Sequence, residues 1–124
     1  MDLIVDTHSL AWFGTGDKRL SKRAFDAMVD PGNPLFVSAI TAFEYTDLRL
    51  RNRLPGTADL FVLGERLGFQ IIHLPAETWY VASLLPDIHR DPADRLLLAH
   101  ALQAGFTVVT ADGKMRSYPV PTLW

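Results

Sequence analysis

Four acidic residues beside apolar runs are the candidate chemistry of this 124-residue chain: Asp6, Glu44, Asp94 and Asp112. Desolvating an unpaired carboxylate costs several kcal/mol or shifts its pKa, so acids next to a core need a compensating charge. Because the set contains no Cys or His, its oxygen donors favour Mg²⁺ or Mn²⁺ over zinc. Such a site can activate water and bind phosphoryl oxygens, so the four acids indicate phosphodiester hydrolysis.

Two of the acids, Asp6 and Asp112, also fit purely structural roles. Asp6 ends an apolar run and precedes Thr7-His8-Ser9, where Asp is a favoured helix N-cap. Asp112 belongs to the segment 110–113, which is typical of a turn closed by an Asx side chain. A metal-binding role and a structural role therefore remain open for both residues.

Glu44 and Asp94 are harder to explain as structural residues. On a helix, Glu44 has an apolar residue four positions before it and four after it, so no helical ion pair is available. Asp94 precedes the apolar stripe 97–101 by helical spacing and should point inward. Asp91, followed by proline, has the features of a helix start, so Asp91 is expected to be mainly an N-cap.

The histidines are scattered along the chain, and none has a partner at the spacing of a metal motif: His8, His73, His89 and His100. Each is expected to be packed or solvated rather than catalytic. His89 lies with Arg90 just before Asp91 and could contact a phosphate.

Short apolar runs alternate with helical patterns along the whole chain. Strands are expected at 2–5, 35–37, 69–74 and 106–110, with a short edge strand within 120–124. Helices with their caps are expected at 7–13, 21–29, 38–52, 57–68, 75–85 and 91–105. This alternation predicts an α/β fold, a three-layer α/β/α sandwich with a central, mostly parallel sheet.

No repeat or linker interrupts the pattern, so a single domain over residues 1–124 is expected. In parallel α/β folds the site lies beyond the carboxyl ends of the strands. Asp6 directly follows the first predicted strand, and Asp112 follows the fourth. Both acids are therefore expected at the same edge of the sheet.

Composition excludes several function classes. The chain has no Cys, so a disulfide scaffold, a Cys-ligated zinc site and thiol catalysis are excluded. No apolar stretch reaches the ~18 residues of a membrane span, and the first residues lack signal-peptide features, so a cytoplasmic protein without a membrane partner is expected.

The formal net charge of −2 lacks the basic surplus usual in nucleic-acid-binding proteins. Two basic clusters, within 18–23 and 49–53, are either solvated helix faces or positive patches. If the four acids were neutralised by metal, the remaining surface would be mildly positive.

Four segments together resemble one protein family. Val5-Asp6-Thr7-His8, Ser38-Ala39-Ile40 ahead of Glu44, the segment 89–96 (HRDPADRL) and Val109-Thr110-Ala111-Asp112 occur in the order and spacing of the PIN domain. Over its full length the chain is similar to the VapC family, the toxin ribonucleases of type II toxin–antitoxin systems. The Asp-Pro-x-Asp-Arg segment is the most specific of these motifs.

The resemblance implies a PIN-like endoribonuclease that depends on Mg²⁺ or Mn²⁺ and cleaves structured RNA, such as tRNA or ribosomal RNA. It implies that Asp6, Glu44, Asp94 and Asp112 are the catalytic and metal-binding residues. Asp91 would be an accessory residue, and Thr7 and Thr110 would support the site through their hydroxyls. The expected partners are an identical subunit in a homodimer and a small antitoxin that inserts a C-terminal segment into the active-site groove.

Two other functions compete with a ribonuclease. A non-catalytic PIN-like interaction or dimerisation module would be favoured by the loss of one acid, but all four candidates are present. A receiver-type phosphoacceptor domain needs paired acids after the first strand and an Asp after the third. It fits poorly, since Asp6 is followed by Thr7 and the third strand ends at His73-Leu74.

Overall fold

The computed structural model describes residues 1–124. The strands are β1 Leu3–Val5, β2 Leu35–Ser38, β3 Gln70–Ile72, β4 Thr107–Val109 and β5 Thr122–Leu123. The helices are α1 Thr7–Thr15, α2 Lys22–Val29, α3 Ala39–Leu50, α4 Leu60–Leu67, α5 Thr78–Leu84 and α6 Pro92–Ala104, with a short 3-10 helix at Met115–Ser117. Each predicted element is present, although several bounds differ.

The five strands form one sheet in the order β3-β2-β1-β4-β5, and every neighbouring pair is parallel. The predicted sheet is therefore confirmed, including the edge strand β5. Val5 of β1 pairs with Val109 of β4 at the carboxyl ends of the two central strands. The residues that follow them, Asp6 and Thr110, are thereby brought together at one edge of the sheet.

Helices cover both faces of the sheet, which gives the expected three layers. Leu3 and Val5 are fully buried in one apolar core with residues of α1 to α4. Ile4 points the other way, as alternate strand residues do, and packs in a second core with Leu97 and Leu98 of α6. None of the helices is long and apolar enough to span a bilayer.

Helices α1 and α4 differ in their bounds from the sequence prediction. Helix α1 runs past the predicted end at Phe13 and ends only at Gly16, which adopts left-handed backbone with φ 68°. Gly14 lies inside it, where an added Cβ would lie 2.8 Å from Leu63 Cδ1 of α4. Helix α4 begins at Leu60 rather than at Thr57, since Asp59 provides the cap by accepting from the Phe61 amide at 2.9 Å.

Strand β3 and helix α5 are both shorter than the sequence predicts. β3 has only β2 as a neighbour, and the register from Phe36↔Gln70 to Ser38↔Ile72 leaves no further partners once β2 ends. Phe69, predicted in the strand, instead packs in the first core. Helix α5 likewise begins at Thr78 rather than at Pro75.

Candidate functional site

One cleft at the carboxyl edge of the sheet brings the four predicted acids together. It has a volume of about 230 Å³ and is lined by Asp6, Glu44, Asp94 and Asp112, together with side chains from α1 and the loop after β4. The acids come from four different parts of the chain: the end of β1, α3, the first turn of α6 and the loop after β4. Only the folded sheet places them side by side.

Asp6 joins the ends of the two central strands and also caps α1. Its Oδ1 accepts from the Ser9 amide at 2.9 Å, and its Oδ2 accepts from the Thr110 hydroxyl at 2.5 Å. Asp6 is buried, and burial raises the pKa of its carboxyl although hydrogen bonds from Ser9 and Thr110 oppose that shift. Asp6 therefore caps α1, as predicted, and also lines the cleft.

Glu44 obtains from α1 the partner that its own helix lacks. The buried Thr7 hydroxyl donates a hydrogen bond to Glu44 Oε1. This contact fixes the carboxylate on the cleft side of α3, where Glu44 is half-buried. The hydroxyl contacts expected of Thr7 and Thr110 are therefore present, while their part in any reaction stays a prediction.

The start of α6 places Asp94 in the cleft and keeps Asp91 at the helix end. Asp91 Oδ1 accepts from the Asp94 amide at 3.0 Å, with Pro92 in the first turn, so Asp91 is the N-cap that the sequence predicts. Burial, followed by the negative charges of Asp91 and Glu44, raises the pKa of Asp94 to about 7. The nearby His89 opposes this rise in the pKa of Asp94 but does not cancel it.

A histidine that the sequence analysis did not place in the site connects two of the acids. His89 Nε2 lies 3.0 Å from Asp94 Oδ2 and 3.0 Å from Asp112 Oδ2. His89 Nδ1 accepts a hydrogen bond from the Asp91 amide at 3.1 Å, so in the neutral ring the proton is on Nε2. His89 Nε2 therefore donates its hydrogen bond to Asp112 Oδ2, while Asp94 Oδ2 lies at the same distance from that nitrogen.

Asp112 also accepts hydrogen bonds from two backbone amides. Partial burial would raise the pKa of Asp112, but the hydrogen bond from His89 and those from the Lys114 and Met115 amides outweigh it and lower that pKa. The amide contacts, at 2.8 and 3.3 Å, form the turn predicted for this segment. Asp112 thus has a structural role and lines the cleft as well.

Tyr118 and Arg95 fix the loop that carries His89. The Tyr118 hydroxyl accepts from the Ile88 and His89 amides at 3.2 and 2.7 Å and from Arg95 Nη1 at 3.2 Å. Arg95 also donates to the Ala82 and Pro86 carbonyls at 2.7 and 2.8 Å. The arginine of the Asp-Pro-x-Asp-Arg segment therefore holds the α5–α6 loop rather than reaching into the cleft.

Of the remaining histidines, His8 is exposed and lines the cleft next to Asp6, whereas His73 and His100 do not line it. His73 is exposed. His100 is buried, and its Nδ1 lies 2.8 Å from the hydroxyl of Ser38, the N-cap of α3. The sequence feature that could have identified His89 is its position two residues before the cap of α6. There a backbone amide can fix which ring nitrogen carries the proton.

The donor chemistry of the cleft fits a hard divalent cation. One ligand atom each of His89, Asp94 and Asp112 lies within 4.8 Å of the others, while Asp6 and Glu44 line the same cleft outside this close group. Since His89 points a proton at the carboxylates, the ring is a hydrogen-bond donor and the ligands would be oxygens. Ser9 Oγ beside Asp6 is buried without a hydrogen-bond partner.

Replacing His89 by Ala is expected to raise the pKa of Asp112 toward its ordinary value, because the substitution removes the side-chain donor that lowers it. NMR titration of the Asp112 carboxyl carbon in metal-free protein measures this change. His89→Gln, which keeps an N–H donor, should shift the pKa less, and the exposed His73→Ala should not shift it. An unchanged Asp112 pKa in His89→Ala would show that the hydrogen bond from His89 does not stabilise the Asp112 carboxylate.

Comparison with known proteins identifies the family. The PIN domain family profile matches residues 3–121. Ribonuclease VapC22 of Mycobacterium tuberculosis (strain ATCC 25618 / H37Rv) is 31% identical over 130 residues, an alignment that covers 98% of each chain. Both matches span nearly the whole sequence, including all four acids.

Solved structures agree in fold at lower identity. VapBC2 from Rickettsia felis, crystallised with a DNA fragment from its promoter, aligns with TM-score 0.74 and 16% identity over 99% of this chain and 98% of that one. VapC20 of Mycobacterium tuberculosis, described as a sarcin–ricin-loop-cleaving toxin, aligns with TM-score 0.65 and 19% identity over 93% of both chains. The chain therefore belongs to the PIN domain family, and within it to the VapC group.

Proposed function

We propose that this protein is a Mg²⁺- or Mn²⁺-dependent endoribonuclease, the toxin of a toxin–antitoxin system, which cleaves structured RNA such as tRNA or ribosomal RNA. The observation that carries the proposal is the convergence of Asp6, Glu44, Asp94 and Asp112 on one cleft. The 31% identity to a protein named as a ribonuclease supports the class of reaction. No specific observation favours an interaction-only module.

The four acids are the proposed metal-binding and catalytic residues. When bound, a divalent cation supplies the positive charge that neutralises the cluster, polarises water and holds phosphate oxygens. Magnesium usually takes one or two protein carboxylates directly, so the other acids would act through water. An RNA phosphate would be repelled by the uncompensated cluster, which makes cation dependence part of the proposal.

Other residues position the four acids. The hydroxyls of Thr110 and Thr7 hold Asp6 and Glu44. His89 holds Asp94 and Asp112 at equal distances of 3.0 Å. Asp91 is an accessory residue, because its Oδ1 is engaged as the cap of α6.

The proposed partners are a small antitoxin, an identical subunit and RNA, with one PIN-like domain over residues 1–124 acting in the cytoplasm. A structural neighbour is a VapBC2 complex, which supports the antitoxin. Large apolar side chains are exposed on α3, α4 and α5, including Phe43 at 68%, Phe61 at 78% and Trp79 at 68%. We propose these side chains as contact residues for a partner chain.

Incubation of the purified protein with tRNA and ribosomal RNA tests the proposal. We expect cleavage with Mg²⁺ or Mn²⁺, none after chelation by EDTA, and recovery when Mg²⁺ is restored in excess. Since water rather than the 2′-hydroxyl is the proposed nucleophile, the new ends should lack a 2′,3′-cyclic phosphate. Equal cleavage in EDTA, or cyclic ends, would contradict the proposal.

A further inference from the structure

A second pocket, here called the Arg53 pocket, adjoins the acidic cleft. It has a volume of about 200 Å³, and its walls include Arg53, Arg19, Asp17 and two side chains shared with the cleft, His8 and Trp12. A ligand that leaves the acidic cleft along the exposed side of α1 therefore enters this pocket. The charge changes along that path from four carboxylates to the guanidinium of Arg53, since Arg19 is paired with Asp17.

Hydrogen bonds to Asp17 fix the orientation of the planar Arg19 guanidinium in the pocket. Asp17 accepts from Arg19 Nη2 at 2.8 Å, Nε at 3.2 Å and the backbone amide at 2.8 Å. The guanidinium carbon lies 5.1 Å from the centre of the Trp12 ring. Guanidinium and indole planes in this arrangement are surfaces on which a nucleobase can stack.

Arg53 presents a free charge on the other side of the pocket. Its side chain is exposed and takes part in no ion pair or side-chain hydrogen bond of the structure. Asn52, with φ 57°, turns the chain out of α3, and the Arg53 amide bonds to the Leu48 carbonyl at 2.9 Å. By contrast, Arg51 in the same turn pairs with Asp47 at 3.2 Å.

From this geometry we infer that the Arg53 pocket binds a single-stranded nucleotide of the RNA substrate next to the phosphate at the acidic cleft. Arg53 binds its phosphate, and the Arg19–Trp12 pair stacks against its base. The inference rests on the proposed ribonuclease function. An acidic peptide would also satisfy Arg53, but it would leave the stacking surface unused, so the two features together favour a nucleotide.

Steady-state cleavage of an oligoribonucleotide hairpin with a single-stranded loop in Mg²⁺ tests the inference in the full-length protein. Arg53→Ala is expected to raise KM about tenfold at unchanged kcat, because a charge-assisted contact is lost outside the reacting centre. Arg19→Ala should also raise KM. The matched control Arg51→Ala, which removes a charge from the same turn but not from the pocket, should change KM less than about twofold.

Salt dependence separates a phosphate contact from a general loss of charge. Binding of the labelled oligonucleotide is measured by fluorescence anisotropy in the cleavage-deficient Asp6→Asn background. Each phosphate contact contributes about 0.7 to the slope of log Kd against log salt, so Arg53→Ala should lower the slope by that amount. Arg51→Ala should leave the slope near that of the parent.

Two results would overturn the inference: equal effects of Arg53→Ala and Arg51→Ala, or wild-type KM in Arg53→Ala. If Arg53→Ala with wild-type KM also bound the cognate antitoxin more weakly, the pocket would be assigned to the antitoxin instead. A wild-type protein that cleaves no RNA in Mg²⁺ would instead count against the proposed function, so the two failures are distinguishable.

Discussion

Replacing Asp94 by Asn is expected to abolish RNA cleavage while making the metal-free protein more stable at pH 8. The substitution removes an anionic oxygen from the proposed cation site, and we expect the cleavage rate to fall by at least about a hundredfold. In the folded protein, burial and the charges of Asp91 and Glu44 raise the pKa of Asp94 to about 7. Desolvation of the carboxylate, together with repulsion by these charges, therefore opposes folding whenever Asp94 is ionised and no cation is present.

The sign of the pH dependence follows from the direction of that shift. In the unfolded chain an Asp titrates near pH ~3.9, so between about pH 4 and 7 the folded protein binds more protons than the unfolded one. Asp94 therefore makes the free energy of unfolding fall as the pH rises through this window. The full shift corresponds to about 4 kcal/mol, of which only a part is expected because the side chain is 22% exposed.

Urea unfolding in EDTA at pH 5 and pH 8 measures this effect. Asp94→Asn should be more stable than wild type at pH 8, and the difference should shrink at pH 5, where Asp94 is protonated. Asp26→Asn is the matched control, because Asp26 pairs with Lys22 on the surface of α2. A wild-type protein as stable as Asp94→Asn at pH 8 would mean that the acids do not repel one another as the geometry implies.

Replacing Asp6 by Asn should also remove cleavage, by at least about a hundredfold, but with little change in stability. The amide oxygen of Asn can still accept from the Ser9 amide and cap α1, whereas the anionic oxygen opposite Thr110 is lost. Asp6→Ala removes the cap as well and should cost about 1 kcal/mol of stability. Cleavage rates and urea unfolding of both variants separate the proposed metal role from the structural one.

One result for Asp6→Asn would contradict a metal-binding role for this residue. If the variant folds and cleaves RNA at the wild-type rate in excess Mg²⁺, Asp6 is a helix cap and no more. If it unfolds, Asp6→Ala and the Thr110→Val variant show whether the loss comes from the cap or from the hydrogen bond that joins β1 to β4.

The fold could be predicted from the sequence because each strand is a short apolar run and each helix carries its own start and stop residues. Ser21 and Asp91 cap α2 and α6 where the sequence places them. The errors in bounds concern residues whose local pattern allows more than one helix end or start. Gly14 by itself suggests a helix end, but α1 continues to Thr15 and is capped by Gly16, and α4 is capped by Asp59 rather than started by Thr57.

The convergence of the four acids on one cleft could be predicted from the sequence, whereas the contacts that hold them could not. Asp6 and Asp112 follow strands, and Asp94 lies on an apolar helix face, so topology alone brings them together. The Thr7–Glu44 hydrogen bond and the His89–Asp112 contact join residues 37 and 23 positions apart, and local spacing does not encode them. The role of His89 depends further on its tautomer, which the Asp91 amide selects.

The central claim, that the cleft is a divalent-cation site built by these acids, is tested most directly by calorimetric titration of Mn²⁺ into metal-free protein at pH 7.5. Wild type and Asp26→Asn should show the same saturable binding, and Asp94→Asn should bind at least about tenfold more weakly. Equal Mn²⁺ affinity in wild type and Asp94→Asn, or no saturable binding to wild type, would contradict the account.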